Sequence, residues 1–171
     1  LVCDSLIVEN LNGIYGLQMN HGKIEVLGNV VNNAFTRLMG GELVVYGNVT
    51  NMGYFFVYSN AEVDIYGDFN NEDSYLRLYA NSEIKIGGDL NWKTIVQLFT
   101  NTEMHVGGDV NMTSSSIENF QSNSKVYCKG NWNGSLASNF NPYSGSQVIF
   151  NGNSNQTCTL NANSFFQDVL I

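Results

Sequence analysis

The chain has few charges, little proline and no long hydrophobic run, and each shortage excludes a class of protein. Lys and Arg number only 7 against 15 Asp and Glu, which gives a formal net charge of −8. A nucleic-acid-binding protein needs clustered basic side chains to displace counterions from phosphates, so we expect no nucleic acid as a partner. No apolar stretch reaches the roughly 18 residues that a membrane span requires, so we expect no membrane insertion.

Paired cysteines and catalytic motifs are also missing. Neither CxxC spacing nor a disulfide framework is formed by the three cysteines, Cys3, Cys128 and Cys158. His21 and His105 are isolated, and the sequence contains no GxSxG, HExxH or P-loop motif. We therefore expect no catalytic residues, no metal site and no cofactor.

Asparagine and glycine are abundant instead. The chain has 26 Asn and 17 Gly beside a single Pro, while 43% of its residues are hydrophobic. Asn and Gly tolerate left-handed backbone and tight turns. This composition predicts many turns between short apolar strands and excludes a disordered chain.

A glycine followed by Asn or Asp recurs about every twenty residues. Its instances are Gly28-Asn29, Gly47-Asn48, Gly67-Asp68, Gly88-Asp89, Gly108-Asp109, Gly130-Asn131 and Gly152-Asn153. An earlier, degenerate unit is predicted at Glu9-Asn10-Leu11. Such regular spacing indicates a repeat architecture.

Each glycine follows a strand-like segment with period-two alternation, such as Glu62-Val63-Asp64-Ile65 and Glu83-Ile84-Lys85-Ile86. A second strand follows in several units, as at Leu76-Arg77-Leu78-Tyr79. It ends before an Asn turn at Asn60, Asn81, Asn101 and Asn123.

A unit of about twenty residues is too short for a strand–helix–strand crossover but suits one coil of a solenoid. We predict an all-β, right-handed parallel β-helix of seven to eight coils, with Ile65, Ile86 and Val106 stacked in its core. Residues 1–171 are expected to form one domain, excised from a longer chain because it begins and ends in strand-like sequence.

Equivalent positions of a solenoid form columns, and two columns are polar. Asn and Asp after each glycine are interpreted as turn caps, with Ca²⁺ binding by Asp68, Asp89 and Asp109 as the alternative. The second column has the same structural explanation and comprises Asn70, Asn91, Asn111, Asn133 and Asn155.

A third set of columns is aromatic. The alternation places side chains from three successive coils on one outer face: Tyr54, Phe56, Tyr58, Tyr75, Arg77, Tyr79 and Phe99. Contiguous apolar surface often marks an interface, so these residues are the predicted ligand-binding site, for a polysaccharide or a surface protein. Stacking that only stabilises the solenoid, or an absent segment that covers the face, is the alternative. Tyr46 and Tyr66 form a further aromatic pair.

The last coil resembles the closing unit of β-helical repeat segments in large secreted adhesin-like bacterial surface proteins. The resemblance lies in Gln147-Val148-Ile149-Phe150-Asn151-Gly152, Gln156-Thr157 and Phe165–Ile171. It implies an extracellular or cell-surface module with a structural or adhesive role and names no ligand. The sequence thus favours a non-catalytic structural or adhesive module. A polysaccharide-binding or polysaccharide-cleaving β-helix that uses the aromatic face is the alternative.

Overall fold

The computed structural model describes residues 1–9, 16–113, 118–135, 142–162 and 164–171. Every regular element in this part of the chain is a strand, and the strands stack as a β-solenoid of about eight turns of about 20 residues. The predicted all-β parallel solenoid is confirmed. Its right-handed sense stays a prediction from the general handedness of parallel crossovers. The described residues include no helix with the length and hydrophobicity of a membrane span.

Three parallel sheets form the walls of the solenoid. Sheet A contains the alternating strands that precede each glycine: Val2–Cys3, Lys23–Val26, Gly41–Val45, Ala61–Ile65, Glu83–Ile86, Glu103–Val106, Lys125–Cys128, Gln147–Phe150 and Asp168–Leu170. Sheet B follows the glycine corner: Leu6–Val8, Val30–Asn32, Val49–Asn51, Phe69–Asn71, Leu90–Trp92, Val110–Met112, Trp132–Gly134 and Cys158–Leu160. Sheet C completes the coil: Leu17–Met19, Phe35–Leu38, Tyr54–Val57, Tyr75–Leu78, Ile95–Leu98 and Glu118–Phe120.

The predicted core stack is confirmed. Ile65 pairs with Ile86, and Ile86 pairs with Val106, in adjacent parallel strands of sheet A. All three side chains are at most 2% exposed and belong to one hydrophobic cluster that runs through the solenoid. Period-two alternation therefore directs one side of each strand into a shared core.

Each glycine corner packs against the corner of the previous coil. The N–H of Gly88 donates to Gly67 O at 2.9 Å, and the N–H of Gly108 donates to Gly88 O at 2.8 Å. A Cβ on Gly88 would lie only 2.1 Å from Asp68 Oδ1. Glycine is required here for close approach and not for a positive φ.

The Asn turns between sheets C and A adopt left-handed backbone. The φ angles of Asn60, Asn81, Asn101 and Asn123 lie between 58° and 66°, which is the region that Asn tolerates best among residues with a Cβ. The predicted turn positions are confirmed.

The first and last coils depart from the predicted register. Leu6 pairs with Val30, so the counterpart of the Gly-Asn corner is Asp4-Ser5. The predicted unit at Glu9-Asn10-Leu11 is therefore wrong, and its Asn10 and Leu11 lie outside the described residues. In the last coil Asn133 pairs with Thr159, so Asn155 does not continue the second Asn column.

Candidate functional site

The outer side of sheet C carries the predicted aromatic residues in three columns. Strand pairing aligns Phe35 with Tyr54 and Tyr75 with Ile95 in the first column. The central column aligns Gln18, Arg37, Phe56, Arg77 and Gln97. The third contains Tyr58, Tyr79 and Phe99. We call this surface the aromatic face.

Rings in the outer columns stack face to face along the solenoid axis. The ring centroids of Tyr58 and Tyr79 are 4.2 Å apart with planes 5° from parallel, and those of Tyr79 and Phe99 are 4.8 Å apart at 8°. Tyr54 and Tyr75 stack at 5.3 Å and 6°. These separations match the roughly 4.8 Å rise between coils, so each ring covers the face of the next.

Phe56 in the central column is largely buried. It contacts the rings of Phe35, Tyr54 and Tyr79 edge to face at 4.8–5.8 Å and is only 6% exposed. Phe56 therefore supports its neighbours and offers a ligand little surface. Tyr54, 42% exposed, is the most accessible aromatic side chain of the face.

Two guanidinium groups lie on the rings. Arg77 Cζ is 4.5 Å from the centroid of Tyr75 and 5.1 Å from that of Phe56, while Arg37 Cζ is 4.8 Å from that of Tyr58. Cation–π contacts of this kind hold arginine side chains in place at the surface. The described side chains of the three columns include both arginines of the protein and no carboxylate.

The tyrosine hydroxyls are held in the same network. Burial raises the pKa of Tyr58, and a side-chain hydrogen bond with Tyr79 raises it further, while Arg37 acts in the opposite direction. Tyr58 thus remains a neutral hydroxyl that can donate and accept. Because stacking occupies one or both sides of these rings, the aromatic face presents mainly ring edges, hydroxyls and guanidinium groups to a partner.

The other aromatic pair lies on the outer side of sheet A. Tyr46 and Tyr66 stack at 5.0 Å and 14°, and both are exposed. The next two positions of this column are Gly87 and Gly107, which line a hollow of about 400 Å³. The sequence indicated the pair but not the hollow. The sequence signal for the hollow is the change from Tyr-Gly in two units to Gly-Gly in the next two.

The side chains that follow the corner glycines bind backbone of the next coil. Asp68 Oδ1 accepts the N–H of Asp89 at 2.8 Å, and Asp89 Oδ1 accepts the N–H of Asp109 at 2.8 Å. This is the turn-capping role predicted for the column. Within the described residues, no three His, Cys, Asp or Glu side chains are arranged to hold a metal ion.

The second Asn column also forms a ladder. Asn91 Nδ2 donates to Asn70 Oδ1 at 2.8 Å, and Asn111 Nδ2 donates to Asn91 Oδ1 at 3.1 Å. A buried ladder of Asn32, Asn51 and Asn71, which the sequence did not reveal, lies inside the solenoid with donor–acceptor distances of 2.7 Å.

Comparisons with protein-family models, with curated proteins and with solved structures find no match to this chain. The β-helical part of the resemblance to adhesin-like repeat segments agrees with the observed solenoid.

Proposed function

We propose that this solenoid is a non-catalytic adhesive module of a secreted or cell-surface bacterial protein, and that the aromatic face binds a partner protein. The observation that carries the proposal is the face itself, on which half-exposed tyrosines and two ring-stacked arginines form one continuous surface. Tyrosine and arginine are the residues that most often dominate binding energy at protein interfaces.

The orientation of the rings favours a protein over a polysaccharide on this face. A sugar packs its apolar C–H side on the flat side of an aromatic ring, and stacking between coils covers both sides of the Tyr79 ring and one side each of Tyr58 and Phe99. Ring edges, hydroxyls and guanidinium groups remain available, and these groups match the carboxylates, carbonyls and apolar side chains of a protein surface.

Charge specifies the partner further. The face is positive on a protein whose net charge is −8, so a partner surface that combines carboxylates with apolar groups is complementary to it. The columns span five coils and five residue positions, an area of about 13 by 20 Å or roughly 260 Å², well below the roughly 800 Å² per partner of a standard interface. Each contact should therefore be weak and sensitive to salt.

The test compares two double variants of the aromatic face. Beads that display the domain are applied to immobilised fibronectin, fibrinogen and laminin whose glycans have been removed enzymatically, and retention is measured under flow. We expect wild-type beads to be retained, Tyr58→Ala/Tyr79→Ala beads to be released, and Tyr58→Phe/Tyr79→Phe beads to be retained several-fold less. The Phe pair keeps the stack and removes only the hydroxyls, so its thermal stability should remain near that of the wild type.

The stacked pair on sheet A is the matched control. Tyr46→Ala/Tyr66→Ala removes two stacked tyrosines from another face and should leave retention unchanged. Equal retention of wild type and the Tyr58→Ala/Tyr79→Ala variant on all three proteins, or retention only on polysaccharide-coated surfaces, would show that the aromatic face does not bind protein.

A further inference from the structure

The hollow on sheet A begins where a stack of aromatic rings stops. Tyr66 covers Tyr46 with one side of its ring, and the side chain is 62% exposed. The next two residues of the column, Gly87 and Gly107, have no side chain to cover the other side. Lys129 follows them in the column. Three coil steps separate Tyr66 from Lys129, a gap of about 14 Å.

Backbone packing keeps the floor of the hollow free of side chains. A Cβ on Gly87 would lie 2.4 Å from Tyr66 O, and one on Gly107 would lie 2.3 Å from Gly87 O. Glycine is therefore required at both positions, and the flat side of the Tyr66 ring is left uncovered as a consequence. On the aromatic face of sheet C, by contrast, the neighbouring rings cover both sides of the Tyr79 ring.

One wall of the hollow is polar. Asp64, Lys85, His105 and Tyr127 occupy successive coils of the neighbouring column of sheet A. Lys85 Nζ lies 3.7 Å from Asp64 Oδ1, and the His105 and Tyr127 rings stack at 4.3 Å. Burial lowers the pKa of Lys85, but Asp64 and Glu83 outweigh it and the net shift is upward, so the ammonium remains a donor at neutral pH.

We propose that this hollow binds a saccharide, with the apolar side of one pyranose ring stacked on Tyr66 over Gly87. The volume lies in the range of small-molecule sites. The polar wall combines a carboxylate acceptor, an ammonium donor and a phenol hydroxyl, which suits the hydroxyl groups of a sugar. A purely apolar ring would fit the stack but would desolvate Asp64 and Lys85 without replacing their hydrogen bonds with water.

The site does not depend on the aromatic face of sheet C. Tyr66 directly follows a strand of sheet A, whereas Tyr58 directly follows a strand of sheet C. The saccharide is recognised by an uncovered ring side, and the protein partner by ring edges and arginines. Either site can fail its test while the other passes.

Saturation-transfer NMR and calorimetry with cellotetraose, chitotetraose and mannotetraose test the proposal. We expect at least one of these probes to bind wild type with a Kd in the millimolar range or tighter. Tyr66→Ala should weaken that binding about tenfold, Tyr66→Phe should keep it within about twofold, and Lys85→Met should weaken it about tenfold.

Tyr143→Ala is the control, because Tyr143 is similarly exposed and is no part of the hollow. It should leave binding unchanged, and circular dichroism should show that every variant unfolds near the wild-type temperature. The proposal is overturned if none of the three probes binds, if Tyr66→Ala binds as well as wild type, or if N-acetyltyrosinamide occupies the hollow more tightly than every saccharide.

Discussion

At the scale of single residues, asparagine side chains form two ladders, one buried and one on the outside of sheet B. Asn51 is fully buried, donates to Asn71 Oδ1 at 2.7 Å and accepts from Asn32 Nδ2 at 2.7 Å. Asn91 makes the same kind of ladder on the outside of sheet B, where water can replace a lost partner. The inner ladder is the more costly one to break.

Replacing Asn51 or Asn91 by alanine should distinguish the contributions of the two ladders to stability. Asn51→Ala leaves a buried donor and a buried acceptor without their partners and should lower the free energy of unfolding by about 2–4 kcal/mol. Asn91→Ala should cost about 1 kcal/mol or less. Urea denaturation measures both, and equal losses would show that burial does not set the strength of these ladders.

Cys128 fills a core position in the column of Ile86 and Val106. Burial raises the pKa of its thiol from 9.0 to about 11. Between these values the unfolded chain releases the thiol proton and the folded chain keeps it, so folding stability falls as pH rises. Below about pH 9 both states keep the proton and the contribution to stability is constant.

Cys128→Val should remove this dependence, because valine is the residue of the preceding coil and has no proton to lose. We expect the wild type to lose more unfolding free energy than Cys128→Val between pH 9 and pH 11, and the two profiles to run parallel between pH 7 and pH 8.5. Urea denaturation across this range checks the difference. Profiles that remain parallel up to pH 11 would contradict a buried thiol.

At the scale of strands and turns, two elements of each coil could be predicted and one could not. The strands of sheets A and C alternate apolar and polar residues, and left-handed Asn marks the turn between them. The strands of sheet B are only three residues long, and in Phe69-Asn70-Asn71 the inward third residue is Asn. In a sequence, that pattern is typical of a turn. Asn51 and Asn71 are nevertheless buried in strands, because other coils supply their hydrogen-bond partners.

The register of the end coils and the details of the candidate sites could not be predicted from the sequence, for related reasons. Four residues, 153–156, separate Gly152 from the corner at Thr157. The Gly152 N–H donates to Gln156 Oε1 and not to an acceptor in the neighbouring coil. Insertions of this kind shift the register without changing the local pattern. Similarly, alternation correctly placed Phe56 outward, but its burial arises from the rings of Phe35, Tyr54 and Tyr79, two of which belong to neighbouring coils. The hollow beside Tyr66 arises from missing side chains.

The left-handed turn offers a test at this scale. Asn101 has φ 58° and is exposed, and its Nδ2 donates to Asn81 Oδ1 at 3.3 Å. Asn101→Ala should lower the free energy of unfolding by about 1–2 kcal/mol, because alanine keeps the Cβ that disfavours this backbone region and lacks the side-chain amide that makes the region accessible to Asn. Asn101→Gly should remain close to wild type, since glycine adopts it readily. Thermal unfolding by calorimetry compares the two, and an alanine variant as stable as the glycine variant would exclude the left-handed turn.

The whole molecule depends on one relation, the parallel pairing of each strand with its equivalent about twenty residues later. Both proposed sites follow from it. The aromatic face is continuous because rings from successive coils are aligned, and the hollow exists because two glycines are aligned behind Tyr66. An antiparallel arrangement of the same strands would scatter these residues.

Methyl NOE spectroscopy on protein labelled at Ile and Val measures this relation directly. Parallel pairing predicts cross-peaks from Ile65 to Ile86 and from Ile86 to Val106, and none between Ile65 and Val106, which lie two coils apart. The same pattern should connect Val63 with Ile84 on the other inward position of these strands. Cross-peaks from Ile65 to Ile84 and from Val63 to Ile86, without those between Ile65 and Ile86, would indicate antiparallel strands and contradict the solenoid.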